Sequence, residues 1–389
     1  MNKIMQEFIT MHESDDVREL ALQSERYPDV DMPFALTQIK GRQIAKEKIP
    51  SWYTNREVIY PQHLSLEQCS SEATAAYKAA LCGGESLLDM TGGLGVDFSF
   101  MSSKFKHAVY VEEQPSLVGI AKKNFTTLGL NNTEVVQADG VEFLRSACCY
   151  DMIYLDPARR NEAGRKVVLL EDCSPNVLEI ESLLEQKADN ILIKLSPMLD
   201  VTKTLDSLQN IAEVHIVSYR NECKELLFFK KKAWQGEANI FCVNINGENT
   251  SRLVFSKRDE AQAVCQYTSS LKRYLYEPNA SLLKAGVYKI IGQRFGLKKL
   301  HPNSHLYTSD SLCEEFPGRV FTIEASFSLN KKDIKANLSD ITFANISVRN
   351  FPMKVEDIRK KIHLKDGGSN YLFATTMADE KKVLIRCSK

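Results

Sequence analysis

The chain has 389 residues, 43% of them hydrophobic and 26% charged, with 50 Lys and Arg against 50 Asp and Glu. This is an ordinary globular composition, long enough for two or three domains, and the lack of any run of about 18 apolar residues excludes a membrane-spanning helix. The zero net charge hides an asymmetry: Tyr219 to Lys389 holds 29 Lys and Arg against 18 Asp and Glu, Met1 to Ser218 holds 21 against 32.

A basic second half suits a polyanionic partner, and solvated surface lysines are the plainer alternative. Ten cysteines occur without a Cys-x-x-Cys pair or zinc-ligand spacing, so neither a disulfide framework nor a metal site is expected. Met1 to Glu7 lacks the basic and apolar regions of a secretion signal, and a cytoplasmic protein is the expectation.

In chain order, Met1 to Ser24 and Phe34 to Lys48 read as helices, and Pro50, Trp52 and Pro61 mark an extended or irregular passage. Ser65 to Gln68 reads as a capping box opening a short turn, and Ser70 to Thr74 leads an Ala-rich helix that Gly83 and Gly84 can end. From Ser86 strand and helix alternate. Strands are predicted at Ser86–Met90, His107–Glu112, Thr133–Ala138, Tyr150–Leu155, Asn190–Leu195, Glu213–Tyr219 and Leu226–Lys230. Helices are predicted at Val96–Phe105, Pro115–Leu128, Val141–Ala147 and Ser174–Gln186. The alternation predicts an α/β fold with a doubly wound, mainly parallel sheet of seven strands, the last two in reach of forming a hairpin.

Beyond Ala233 a hairpin is predicted around Asn246 to Asn249, then a helix over Ala261 to Tyr276. A small α+β domain follows, with strands at Val320–Ala325, Asp340–Val348, Tyr371–Thr376 and Lys382–Arg386 and a helix at Val355–Ile362. The expected division is an N-terminal helical segment 1–64, a catalytic domain 65–270 with its core at 85–232, a linking segment 271–317 and the small domain 318–389.

The chemistry centres on Ser86 to Asp97, an apolar strand ending in Asp89 and a turn with Thr91, Gly92, Gly93 and Gly95 that leads into a helix. Glycines there let a backbone approach a ligand. Glu112 ends the next strand, where a carboxylate can bind ribose hydroxyls. Asp139 ends the third, where it can accept from an adenine amino group, with Gly140 leaving room for the ring. The Gly-x-Gly-x-x-Gly of a dinucleotide-binding turn is not met. The fourth strand ends in Asp156-Pro157-Ala158-Arg159-Arg160.

At this point the chain resembles the class I S-adenosylmethionine-dependent methyltransferases over roughly Ser65 to Lys232. It is similar in particular to the RNA methyltransferase branch, where Asn124 and Asp156-Pro157 are typical. Glu67 to Ser71, Asp156 to Arg160 and Lys194 to Asp200 resemble a bacterial group that carries a ferredoxin-like segment and a THUMP-like domain at the C-terminus. THUMP domains are associated with RNA binding.

The resemblance implies that Asp89, Thr91, Gly93 and Gly95 line the methionine end of the cofactor, Glu112 the ribose and Asp139 the adenine, with Gly92, Asp97 and Gly140 also among the cofactor-binding residues. Gln68, Ser70 and Thr74 precede the glycine turn and are candidates to fold over the ligand, with helix capping as the alternative.

It also implies that Asp156 and the Pro157 carbonyl accept the hydrogens of an amino group, orienting its lone pair toward the sulfonium methyl. The usual second proline and aromatic are replaced by Ala158 and Arg159. The stacking ring is therefore lost, and Arg159 or Arg160 is a candidate to stack on a base or clamp a phosphate, with a structural ion pair within the loop as the alternative.

Cys173 is a candidate nucleophile for the less favoured carbon methylation, and Lys194 for a phosphate contact or a pair with Asp156 or another strand-end acid. The expected function is methylation of a base nitrogen in rRNA or tRNA. The alternatives are a small-molecule or protein methyltransferase, or a catalytically weak RNA-binding protein that keeps the cofactor site. Basic and aromatic residues at Tyr276, Lys289, Arg294, Lys298 and Lys299, and the cluster Arg349, Lys354, Arg359, Lys360, Lys361 and Lys365, are candidate RNA contacts.

Overall fold

The alternation of apolar and amphipathic stretches from Gly84 onward builds a parallel sheet in a computed structural model that describes residues 3–61, 63–159 and 169–389. The chain divides into one unit of Met1–Glu213 with Glu225–Gly236 and a second of Val214–Lys224 with Glu237–Lys389. No helix among the described residues is long and apolar enough to cross a membrane.

The first unit starts with helices α1 (Lys3–Met11), α2 (Val17–Ala21), α3 (Met32–Lys48), α4 (Pro50–Thr54), α5 (His63–Gln68) and α6 (Glu72–Ala80). Asp31 caps α3 by accepting from the Phe34 amide, and Ser71 caps α6 through the Thr74 amide. Pro50 opens α4 instead of marking an irregular passage, because at the first helical position its missing N–H costs nothing. In place of a turn opened at Ser65 there is the helix α5. Helix α6 stops at Ala80, short of Gly83, and Gly84 already belongs to the first strand.

The strands follow as β1 (Gly84–Asp89), β2 (Phe105–Glu112), β3 (Thr133–Gln137), β4 (Tyr150–Leu155), β5 (Ala188–Leu195), β6 (Ile211–Tyr219) and β7 (Glu222–Lys231). Between them lie α7 (Val96–Met101), α8 (Pro115–Thr127), α9 (Gly140–Ser146), α10 (Val177–Lys187) and α11 (Val201–Ser207). In the first unit the order is β7-β5-β4-β1-β2-β3, parallel throughout except that β7 runs antiparallel to β5.

Leu87, Leu88, Val111, Ile153 and Leu192 are buried, as strands covered on both faces require. Full burial of each such side chain contributes about 1.5–3 kcal/mol. Consecutive parallel strands leave their C-terminal ends on one edge, which collects Asp89, Glu112 and the residues after Gln137 and Leu155.

The second unit holds most of β6 and, in the order β9-β8-β6, the hairpin of β8 (Asn239–Asn246) and β9 (Asn249–Phe255). Arg220 and Asn221, between β6 and β7, both have positive φ (50° and 63°), the pattern of a two-residue hairpin turn. Its other sheet consists of β10 (Tyr274–Pro278), β11 (Lys298–Lys299), β12 (Tyr307–Ser309), β13 (Gly318–Phe327), β14 (Asn345–Arg349), β15 (Tyr371–Thr376) and β16 (Lys382–Ser388). The order is β11-β12-β10-β13-β16-β15-β14, so residues on both sides of position 318 share one sheet.

Helices α12 (Lys257–Gln262), α13 (Ala280–Ala285), α14 (Lys289–Arg294), α15 (Lys331–Leu338) and α16 (Val355–Ile362) complete it. The helix expected over Ala261 to Tyr276 is not formed. Glu260 instead accepts from the amides of Tyr288, Lys289 and Ile290, and Tyr274 to Pro278 pair into the sheet. Pairing on both sides of that strand outweighs the helical periodicity. Helix α15 was not expected, and the strand expected from Asp340 starts at Asn345.

Candidate cofactor and acceptor site

Asp89 closes β1 with 1% of its surface exposed. Its carboxyl accepts from the Thr91 amide at 3.0 Å and lies 3.4 Å from the Thr91 hydroxyl. Burial pushes the carboxyl up to about 8, against the opposing pull of the Thr91 amide. The Thr91 hydroxyl also accepts from the Asp156 amide at 2.7 Å, tying the ends of the neighbouring strands β1 and β4.

Glu112, at the end of β2, accepts from the Gly93 amide at 2.7 Å through one oxygen and from the Gln114 amide at 2.8 Å through the other. The glycine turn is thereby pinned to the second strand, and each carboxylate oxygen keeps lone pairs for an outside donor. Gly92 lies against the Tyr110 ring. A Cβ there would lie 2.5 Å from that ring, and two more glycines of the site are likewise required by space. Gly95 has φ of +79°, and a Cβ there would lie 2.7 Å from the Phe125 ring; a Cβ on Gly140 would lie 2.0 Å from the Met90 carbonyl oxygen.

Asp139 is exposed and caps α9, one oxygen accepting from the amides of Val141 and Glu142, both at 2.9 Å. Its second oxygen has no partner among the described residues.

Asp97 differs from expectation. Its carboxylate is 9% exposed and is engaged from within the protein. It accepts from the Ser70 hydroxyl at 2.8 Å and the Tyr154 hydroxyl at 2.7 Å, with Lys78 Nζ at 3.2 Å and Lys194 Nζ at 3.5 Å. Burial alone would raise its pKa, but the two lysines and two hydroxyls outweigh burial and hold it below the usual carboxylate range. Ser70 and Thr74 are likewise taken up inside the protein, Thr74 by the cap of α6. Gln68 is exposed at the end of α5.

Lys78 is fully buried and donates to both oxygens of Glu225 at 2.6 Å. Burial pushes the Glu225 carboxyl up while Lys78 and Lys194 oppose it. Lys194, on β5, meets Asp156 at 2.5 Å. Burial works against its charge, but Asp156, Asp97 and Glu225 raise its pKa well above the ordinary lysine value. Of the two roles weighed for Lys194, the pair with Asp156 is present.

The Asp156 side chain is 42% exposed, and its second oxygen has no partner among the described residues. Pro157 is buried, and Ala158 and Arg159 pair antiparallel with Cys173 and Ser174. The Arg159 side chain and all of Arg160 lie outside the described residues. Cys173 is 2% exposed, a poor position for a nucleophile that must meet an RNA base.

Asn124, expected as a marker of RNA methyltransferases, is fully buried and bonds both backbone groups of Ile59 at 2.8 Å. Lys78, Tyr154 and Glu225 were not singled out from the sequence. The available signal was a charged residue contiguous with an apolar run, Glu225 before Leu226 to Phe229, which must find a partner if both faces of that strand are buried.

A parallel sheet with acids at successive strand ends and a glycine turn after the first defines a class I methyltransferase architecture. Comparison with known proteins agrees. Residues 35–168 match the family model of protein-L-isoaspartate (D-aspartate) O-methyltransferase, 274–317 a ferredoxin-like domain and 318–389 a THUMP domain-like model.

A solved structure from Porphyromonas gingivalis W83, assigned as a methyltransferase, is 34% identical with a TM-score of 0.88, covering 99% of this chain and 97% of that one. An uncharacterized S-adenosylmethionine-dependent methyltransferase of Mycobacterium tuberculosis H37Rv is 23% identical over 305 residues, 77% of this chain and 80% of that one. The chain belongs to this family of S-adenosylmethionine-dependent methyltransferases, with ferredoxin-like and THUMP-like segments at its C-terminus.

Proposed function

We propose that the chain methylates a base nitrogen of structured RNA, rRNA or tRNA, in the cytoplasm. In this reading Glu112 receives the ribose hydroxyls, Asp139 the adenine amino group, and the turn from Asp89 to Gly95, with Gly140, the rest of the cofactor. S-adenosylmethionine supplies an electrophilic methyl group on sulfur. Asp156 and the Pro157 carbonyl accept the hydrogens of an amino group and turn its lone pair toward that methyl, so acceleration comes from placement.

The observation that carries this reading is the Asp156 carboxylate, half-exposed at the end of β4 with one oxygen held and the other unengaged among the described residues. RNA as the substrate is supported by the THUMP-like match and by exposed Lys289, Lys298, Lys354, Lys360, Lys361 and Lys365. Five expected contacts are engaged elsewhere: Tyr276 is buried with its hydroxyl on the Ser311 carbonyl, Arg294 donates to the Val254 carbonyl, Lys299 is buried on the His301 carbonyl, Arg349 pairs with Glu277 and Arg359 with Asp366.

The test is transfer of labelled methyl from S-adenosylmethionine to total RNA from cells lacking the protein, followed by mass mapping of the product. A labelled amino nitrogen that disappears with Asp156→Ala is expected; label on protein or small molecules, or a product unchanged by that substitution, refutes the reading. RNA binding should weaken steeply with salt.

A further inference from the structure

Asp156 does not stand alone at the end of β4. Behind it runs a chain of charges that reaches the core: Asp156 to Lys194 at 2.5 Å, Lys194 to Asp97 at 3.5 Å, Asp97 to Lys78 at 3.2 Å, and Lys78 to both oxygens of Glu225 at 2.6 Å. Exposure falls along it, from 42% at the Asp156 side chain through 12% at Lys194 to none at Lys78. Tyr154 and Ser70 donate to Asp97 from the side.

A lysine side chain carries much rotamer freedom, and a half-exposed aspartate can turn about its own bonds. Here the ammonium is fixed from beneath by Asp97, and Asp97 is fixed in turn by three buried groups, Ser70, Tyr154 and Lys78. Resting on the acceptor reading above, we propose that Lys194 is a positioning residue for methyl transfer: it immobilises one oxygen of Asp156, leaving the other to orient the acceptor.

Three formal carboxylates against two ammoniums also leave one excess negative charge on this chain, the sign suited to a cationic sulfonium. Lys194 makes no bond to the reacting atoms. Its effect is on where the Asp156 carboxylate sits.

The test compares wild type with Lys194→Gln and Lys194→Arg in two measurements. In crystals grown with S-adenosylhomocysteine, Lys194→Gln should release the Asp156 carboxylate from its wild-type position, and Lys194→Arg should keep it. In methyl transfer to RNA from cells lacking the protein, Lys194→Gln should lower kcat about 100-fold, the scale of a small misplacement. KM for RNA and cofactor Kd should stay within about threefold of wild type, and Lys194→Arg should recover most of the kcat.

An Asp156 carboxylate that stays in place in Lys194→Gln, an unchanged kcat, or a loss confined to KM or Kd overturns the proposal. If Lys194→Gln does not fold, displacement of the carboxylate in Lys194→Arg with an unchanged kcat overturns it instead. Wild-type protein that methylates no RNA refutes the acceptor reading, and the carboxylate comparison then decides the role of Lys194.

Discussion

Each unit buries a carboxylate among cations, and the two solutions differ. In the second unit Glu277, 2% exposed, is held between Arg319 and Arg349, whose side chains are each 35% exposed. That triad ends where it begins: planar guanidiniums saturate the carboxylate, and their outer faces are wet. In the first unit Asp97 and Glu225 are held by lysines, and the series leads outward to a half-exposed carboxylate with an unengaged oxygen. The lesson is that a buried ion pair can either close on itself or support a group left open at the end of its series of contacts, and only the second arrangement suits the acceptor role proposed for Asp156.

The largest effect should come from breaking the closed end of the first network. Glu225→Gln removes the carboxylate that takes both short contacts of the buried Lys78 ammonium, leaving it Asp97 and Ser70, and should destabilise by about 3–5 kcal/mol. At roughly 2–4 °C per kcal/mol this is a clear fall in Tm by calorimetry. The double variant Lys78→Met with Glu225→Leu should recover most of it, and failure to do so would remove the ion pair as the cause. Glu277→Gln should cost less, about 1–3 kcal/mol, because both arginines can turn to water. An equal loss at the two sites in thermal unfolding would erase the distinction drawn above.

Asp89 offers a pH-dependent test. Its folded pKa, about 8, lies above the unfolded value of 3.8, so the folded form binds the extra proton. The associated stability is complete below about pH 4 and is lost as pH rises through about 8. Asp89→Asn should therefore be the more stable protein above pH 8, with little difference at pH 4. A Tm difference independent of pH would refute the cause.

The smallest effect belongs to Asp139, whose cap on α9 Asp139→Ala should remove for about 1 kcal/mol. Asp139→Asn keeps the cap, so weaker S-adenosylmethionine binding in that variant reports the free oxygen alone. Calorimetry showing unchanged affinity would leave Asp139 a cap only.

Much of the strand-end edge is legible in the sequence because its signals are local. Asp89, Glu112, Asp139 and Asp156 each follow an apolar run, and the glycines follow the first. Tyr150–Leu155, Val355–Ile362 and Tyr371–Thr376 fall within the same bounds in both readings, since alternation or amphipathicity there agrees with burial. What escaped the sequence is set by contacts across 57 and 147 positions, Tyr154 to Asp97 and Lys78 to Glu225. Lys78 looks like any helical lysine until its partner is known. The helix expected near Ala261 failed for the same reason, because sheet pairing across the chain decided the conformation of Tyr274 to Pro278.

The paired amides near the N-terminus bear on where the chain can be cut. Asn124 bonds both backbone groups of Ile59 and Gln38 both of Tyr60, so two side chains take the place of neighbouring strands for that passage. A fragment starting at residue 65 would leave the fully buried Asn124 amide without either partner. The shortest stretch that can keep the first unit whole therefore starts upstream of Asp31, whose cap sets the helix that carries Gln38.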